Sequence, residues 1–278
     1  MIKSYAQLET ERDGNVLIVR LDNEAARNSL TREIRFSLRE VTREVQDDYS
    51  IRAIYLTGKG PTFCAGGDLR MLTASKSPME RHRRFRHAAT FMPQLMMLDR
   101  PVVCGVRGVA IGGGMGLALM ADSIVAGDSA KFMAGFFRLG VVPDCLTLFT
   151  LPRLIGLAKA REFFYSNTTW DAQEALANGI VSQVVSDDEV DAAGLALAQK
   201  YAAGPAEVMG LAKTIMLKSF ESSLAEIMDY EDYAQVLAQS GPEFEEGLAA
   251  LKEKRKPDYG EAARQAGFSD GMPSADKA

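Results

Sequence analysis

Pro101-Val102-Val103-Cys104-Gly105-Val106-Arg107-Gly108-Val109-Ala110-Ile111-Gly112-Gly113-Gly114-Met115-Gly116-Leu117-Ala118-Leu119-Met120-Ala121 decides the reading of this chain. Its first six residues predict a strand, Gly112 to Gly116 a tight turn, and the apolar run that follows a buried helix. Upstream, Val16 to Leu21 reads as a strand between Asp13-Gly14 and the polar run from Asp22 to Asn28. A helix is expected from Thr31 to Val45, with Thr31 placed to cap it, Glu33 in its first turn, and Ile34, Leu38, Val41 and Val45 at helical spacing. A second strand, Ala53 to Thr57, ends at Gly58-Lys59-Gly60-Pro61, and Ser123 to Ala126 forms a further short strand before Gly127-Asp128. Strand, helix and strand in alternation predict an α/β fold with parallel strands.

From about Pro152 the pattern turns helical, through Ala158 to Tyr165, Ala172 to Asn178, Glu189 to Ala203, Pro205 to Ser219 and a last amphipathic stretch ending at Lys256. The chain divides into a sheet-based core over 1–200, a helical region over 201–258, and a tail over 259–278 without periodicity, read as flexible.

A chain of 278 residues with 47% hydrophobic content can bury one large core. Its 32 Lys+Arg against 37 Asp+Glu give a net charge of -5, which offers no global attraction to nucleic acid. No apolar run approaches the roughly 20 residues that span a bilayer, and Met1-Ile2-Lys3-Ser4-Tyr5-Ala6 lacks a signal-peptide stretch, so a cytoplasmic protein without membrane partners is expected. Cys64, Cys104 and Cys145 have neither disulfide nor zinc spacing and read as reduced apolar fillers, so no metal is expected. The run Arg81-His82-Arg83-Arg84-Phe85-Arg86-His87 reads as the solvated face of a helix.

The glycine cluster lacks the dinucleotide fingerprint; the phosphate loop, His-Glu-x-x-His and Gly-x-Ser-x-Gly are all absent, and two neighbouring histidines make a nucleophilic triad improbable. Two segments remain that offer backbone N–H groups. Phe63-Cys64-Ala65-Gly66-Gly67-Asp68-Leu69 is a strand-to-helix loop of small residues, and Gly112-Gly113-Gly114 opens a helix whose first amides have no partner. Two such amides on one carbonyl oxygen would stabilise an enolate by on the order of 3 kcal/mol per donor.

With the segments beyond them, these loops resemble the crotonase (enoyl-CoA hydratase/isomerase) superfamily. Further matches are Ala130-Lys131-Phe132, Gly140-Val141-Val142-Pro143-Asp144, Leu151-Pro152-Arg153-Leu154-Ile155-Gly156, Ala175-Leu176-Ala177-Asn178-Gly179-Ile180-Val181 and Glu253-Lys254-Arg255-Lys256-Pro257, so the likeness runs from about residue 10 to residue 258. It implies a spiral of ββα units, a helical C-terminal trimerisation region, and a homotrimer or dimer of trimers. It also implies an acyl-CoA substrate whose thioester carbonyl is held by Gly67 and Gly113, with coenzyme A arriving as part of that substrate and no prosthetic group. Asp68 and Leu69 would line the coenzyme A path, with Ala65 near the adenine, Arg27 beside the phosphates, and Lys254 reaching in from a neighbouring region.

Hydratases of this family use two glutamates to activate water, and by motif those positions fall at Gly116 and Phe136, neither of which exchanges a proton. Asp144 remains, at the place where the epoxyphenylacetyl-CoA and dienoyl-CoA isomerases carry a catalytic aspartate. An apolar neighbourhood of Phe136, Val141, Val142 and Leu146 would help it accept and return a proton. The sequence therefore predicts a double-bond shift with Asp144 as proton shuttle and with Met71, Gly116 and Phe136 bordering the acyl pocket. The competing readings are a hydratase with other groups, an aroyl-CoA dehalogenase-like hydrolase using Asp144 as nucleophile, and a silent coenzyme-A-binding protein.

Overall fold

The computed structural model describes residues 5–70 and 77–267. The strand β2 (Val16–Leu21) is buried almost throughout and is flanked by β1 (Leu8–Asp13), antiparallel to it, and β3 (Ala53–Gly58), parallel. The parallel run continues through β4 (Val102–Val106), β6 (Ser123–Gly127) and β9 (Gln183–Val185), giving a six-stranded sheet of order β1-β2-β3-β4-β6-β9. Alternate side chains sort to its two faces. Leu17, Val19, Leu21, Ile54 and Leu56 enter the main core, while Val16, Ile18, Ala53, Tyr55, Val103 and Val125 pack against Ala198 and Ala202 of the helix Val190–Ala202.

Between the long strands the chain repeatedly makes a second, shorter β segment. β5 (Val109–Ile111), β7 (Lys131–Met133) and β8 (Thr169–Asp171) form a three-stranded sheet, extended by the bridges Cys64↔Ala110 and Leu30↔Gly67. Each turn of the chain thus adds one long strand to the first sheet and one short segment to the second, which is the expected spiral. Three-residue strands carry no periodicity, which is why they escape a reading of hydropathy.

Thr31 caps the helix Arg32–Asp47, its Oγ1 accepting from the Ile34 N–H at 3.2 Å. The C-terminal part is helical as expected, in Ala206–Met216, Leu224–Gln239 and Pro242–Glu253. Tyr259–Gln265, expected to begin a flexible tail, is instead a helix. Asp258 caps it by accepting from the Glu261 N–H, Glu246 accepts from the Asp258 N–H at 2.6 Å, and Ala263 is buried. No helix among the described residues is long and apolar enough to cross a membrane.

Candidate active site

The loop after β3 is threaded between two neighbours. On one side Phe63 N–H donates to Arg107, Cys64 N–H to Val109, and Ile111 N–H to the Cys64 carbonyl at 3.1 Å; on the other, Ala65 N–H donates to Arg27 and Leu30 N–H to Gly66 at 2.7 Å. These bonds use the backbone on either side of Gly67 and leave its N–H without a backbone partner among the described residues. Gly66 has φ +95 and lies so close to the Ile111 carbonyl that a Cβ would sit 2.5 Å from it. A glycine is required there by both conformation and space.

Gly112, at φ 53 and ψ -117, turns β5 into the helix Gly113–Ala118, and its own N–H is spent on Met133. The Gly113 N–H opens the helix and has no intrahelical acceptor. A Cβ on Gly113 would lie 3.8 Å from the Gly67 nitrogen, so the two unspent amides are neighbours. The same Cβ would meet the Cys145 Sγ at 2.9 Å and Leu30 at 3.1 Å. Phe136 is buried with its ring against Gly112.

Cys145 connects this pair of amides to Asp144. Burial, and then the Asp144 carboxylate beside it, push the Cys145 thiol well above its ordinary range, so it stands as a neutral thiol between the carboxylate and Gly113. Cys145 and Leu146 both adopt left-handed backbone, at φ 53 and φ 60, which costs non-glycine residues on the order of 1 kcal/mol each. The Asp144 carbonyl offsets part of this by accepting from the N–H and Oγ1 of Thr147, the latter at 2.8 Å. Asp144 itself is exposed, as are Val141 and Val142, so one chain does not form the expected apolar enclosure.

Gly116, expected to border the substrate pocket, is covered instead. A Cβ there would lie 2.5 Å from the Cys145 carbonyl oxygen, 2.7 Å from the Cys145 Cβ and 3.1 Å from Thr147 Cγ2. The absence of a side chain at 116 is what lets the 144–147 segment seat against the glycine helix.

The other predicted residues are distributed as follows. Arg27 is exposed, in left-handed backbone, and touches Ala65 through its carbonyl. Asp68 is gripped by the Arg70 guanidinium through both carboxylate oxygens at 3.0 Å, which holds its carboxyl below the ordinary range, and Leu69 is 60% exposed. Met71 lies outside the described residues. Lys254 is exposed at the end of Pro242–Glu253, and the segment it leads into places Gly260 against Asn15, at the start of β2. Arg27 and Ala65 follow the opposite ends of β2 and β3, so Lys254 is not brought to the loops within one chain.

Sequence reasoning missed Asn28 and the part played by Cys145. Asn28 is fully buried at φ 53, donates from Nδ2 to the carbonyls of Lys59 and Thr62, and accepts from Asn23, so it fixes the approach to the Gly67 loop. Its only signal was an asparagine ending a polar loop, a residue that tolerates left-handed backbone.

The family model of enoyl-CoA hydratase/isomerase matches residues 11–262. The chain belongs to this family. It is 33% identical over 247 residues to 1,2-epoxyphenylacetyl-CoA isomerase of Escherichia coli, covering 88% of this chain and 94% of that one. It is 34% identical over 261 residues to a probable enoyl-CoA hydratase of Mycobacterium bovis, covering 92% and 98%. Among solved structures, enoyl-CoA hydratase/isomerase from Cupriavidus metallidurans superposes with a TM-score of 0.87 at 30% identity, over 92% of this chain and 97% of that one. Crotonase fold and membership of this acyl-CoA enzyme family are thereby fixed, and hydratase and isomerase names both occur among its relatives.

Proposed function

We propose that this enzyme moves a carbon–carbon double bond within an acyl-CoA thioester, from the 3,4 to the 2,3 position or in a related epoxy- or dienoyl-CoA isomerisation. Gly67 and Gly113 N–H groups hold the thioester oxygen, and Asp144 takes a proton from C2 to give the enolate. The same carboxyl returns a proton at C4 as the electron pair moves along the chain, so the substrate and product have equal mass. No prosthetic group enters, and coenzyme A comes with the substrate along Arg27, Ala65, Asp68 and Leu69.

Gly116 carries this reading. The space a hydratase glutamate would need there is filled by Cys145 and Thr147. Phe136 lies buried at the second glutamate position, and the exposed Asp144 sets its carboxylate against Cys145, whose Sγ abuts Gly113. One carboxylate suffices for a proton shuttle, whereas activating water and protonating carbon in the hydratase manner uses two.

The assembly belongs to the same proposal. The helix Leu224–Gln239 has no buried residue in a single chain, and Leu224, Tyr233 and Val236 are 78%, 76% and 68% exposed, an apolar surface suited to other copies in a trimer. Lys254 would then serve a neighbouring subunit's coenzyme A.

Incubating the protein with a 3-enoyl-CoA and a 2-enoyl-CoA in parallel tests the reaction. Conjugated-thioester absorbance should rise with the first substrate at unchanged mass. Gain of the mass of water by the second would replace isomerisation with hydration.

A further inference from the structure

Arg27 and Asn28 stand at φ 50 and φ 53, two consecutive left-handed residues at the head of the segment that leads to Leu30. What holds them there is the Asn28 side chain. It is fully buried, and both of its polar atoms are spent on backbone: Oδ1 accepts from the Asn23 N–H at 2.9 Å, and Nδ2 donates to the carbonyls of Lys59 at 2.9 Å and Thr62 at 2.8 Å. The side-chain amide thus ties the turn before Leu30 to the turn that leaves β3. The clamp has no slack, since a Cβ on Gly58 would lie 2.9 Å from that same Nδ2. Held in this way, the segment 27–30 runs beside 65–67. The Arg27 carbonyl accepts from the Ala65 N–H at 3.0 Å, and the Leu30 N–H donates to the Gly66 carbonyl at 2.7 Å. The second of these bonds sets a direction. In a planar trans peptide the C=O and N–H point opposite ways, so a Gly66 carbonyl turned to Leu30 turns the Gly67 N–H away from it, where no backbone acceptor among the described residues takes it.

We propose that Asn28 is a positioning residue for the oxyanion hole: by clamping the segment 27–30 to the turn after β3, it fixes the Gly66–Gly67 peptide and with it the aim of the Gly67 N–H on the thioester oxygen. The inference rests on the acyl-CoA reading above and deepens it. Asn28 is fully buried and acts only through the backbone it holds. An oxyanion donor works by being aimed in advance at the place where charge develops, so loss of the clamp weakens the hold on the enolate and leaves the coenzyme A path intact.

Acetoacetyl-CoA reads the aim of the amide without turnover, because its enolate carries the charge that Gly67 and Gly113 should hold and absorbs at longer wavelength than the keto form. Its ionisation midpoint, free and bound, is measured together with the Kd of coenzyme A for the native protein, Asn28→Gly and Asn28→Asp. Glycine takes the left-handed backbone without strain but removes all three hydrogen bonds; aspartate keeps the acceptor for Asn23 and sets a carboxylate against two carbonyls. The native protein should lower the midpoint of the bound ligand. Asn28→Gly should raise it again by roughly one pH unit, a tenfold loss of hold on the enolate, and Asn28→Asp by at least as much, while coenzyme A binds all three proteins within about threefold. A native-like midpoint in Asn28→Gly overturns the inference. So does a loss of coenzyme A binding in both variants as large as the loss of enolate, which would make Asn28 a support of the fold or of the coenzyme A path. If the native protein binds acetoacetyl-CoA but leaves its midpoint at the free value, Gly67 and Gly113 hold no oxyanion; if it binds neither ligand, the acyl-CoA reading fails; the inference falls in both cases.

Discussion

At the N-terminal end of the parallel strands, charged pairs, of which Arg52 with Glu243 is buried on both sides, join the sheet to the C-terminal helices. Arg52, just before β3, pairs with Glu243 at 2.8 Å and donates to the carbonyls of Ala202 and Gly204; Arg100, before β4, pairs with Glu207 at 2.9 Å; Asp122, before β6, pairs with Lys213 at 2.7 Å. At the opposite end, the loops that follow β3 and β5 are held by backbone bonds, by the Asn28 amide on the carbonyls of Lys59 and Thr62, and by glycines packed against Cys64, Ile111 and Cys145. Charged side chains bind the base together, and the absence of side chains at Gly66, Gly113 and Gly116 shapes the site. An amide left free to meet a ligand requires that nothing project over it, so the working end cannot be braced as the base is.

Breaking the base should have the largest effect. Glu243→Ala leaves the Arg52 guanidinium buried and unpaired and should cost about 3–5 kcal/mol in urea unfolding, whereas replacing both partners, Arg52→Met with Glu243→Leu, should cost much less. If the single and double variants are equally destabilised, the pairing is not what holds the C-terminal helices.

At the working end, Gly116→Glu restores a carboxylate in sequence but not in space. It should lower stability by roughly 1–3 kcal/mol through displacement of Cys145 and Thr147, and should not confer hydration of a 2-enoyl-CoA. Hydration gained with stability intact would mean that the 144–147 segment yields easily.

The smallest effect concerns the last helix. Arg255, and then the Asp258 N–H, hold the Glu246 carboxyl down at about 2 from an ordinary 4.5. A carboxyl depressed on folding contributes stability above its unfolded value and loses it as the pH falls toward the folded one, so this contribution is complete above about 4.5 and lost toward about 2. Protection of the Tyr259–Gln265 amides, taken relative to the intrinsic exchange rate at each pH, should fall as the pH is lowered through that window, and in Glu246→Gln it should be low already at neutral pH.

Much of this architecture was legible because apolar runs of five or six residues, such as Val16 to Leu21 and Val102 to Val106, have no other comfortable place than a doubly covered sheet. Leu8–Asp13 was not, since its charged residues form a strand only by pairing with β2, where Glu9 and Glu11 meet Arg20. The pairing of Gly67 with Gly113 came with the family resemblance, because no spacing rule brings residues so far apart together. The seat of Cys145 over Gly116 was hidden for a different reason. It depends on two consecutive non-glycine residues in left-handed backbone, a conformation that sequence disfavours and only the surrounding contacts impose.

The most direct measurement is the rate of 3-enoyl-CoA conversion by Asp144→Asn, with thioester affinity determined on the same sample. An amide keeps the size and hydrogen bonding of the side chain but cannot carry the proton. Affinity should change little while conversion falls by roughly a hundredfold or more. Conversion at the native rate would show that another group moves the proton and that Asp144 only shapes the turn before Thr147–Ile155.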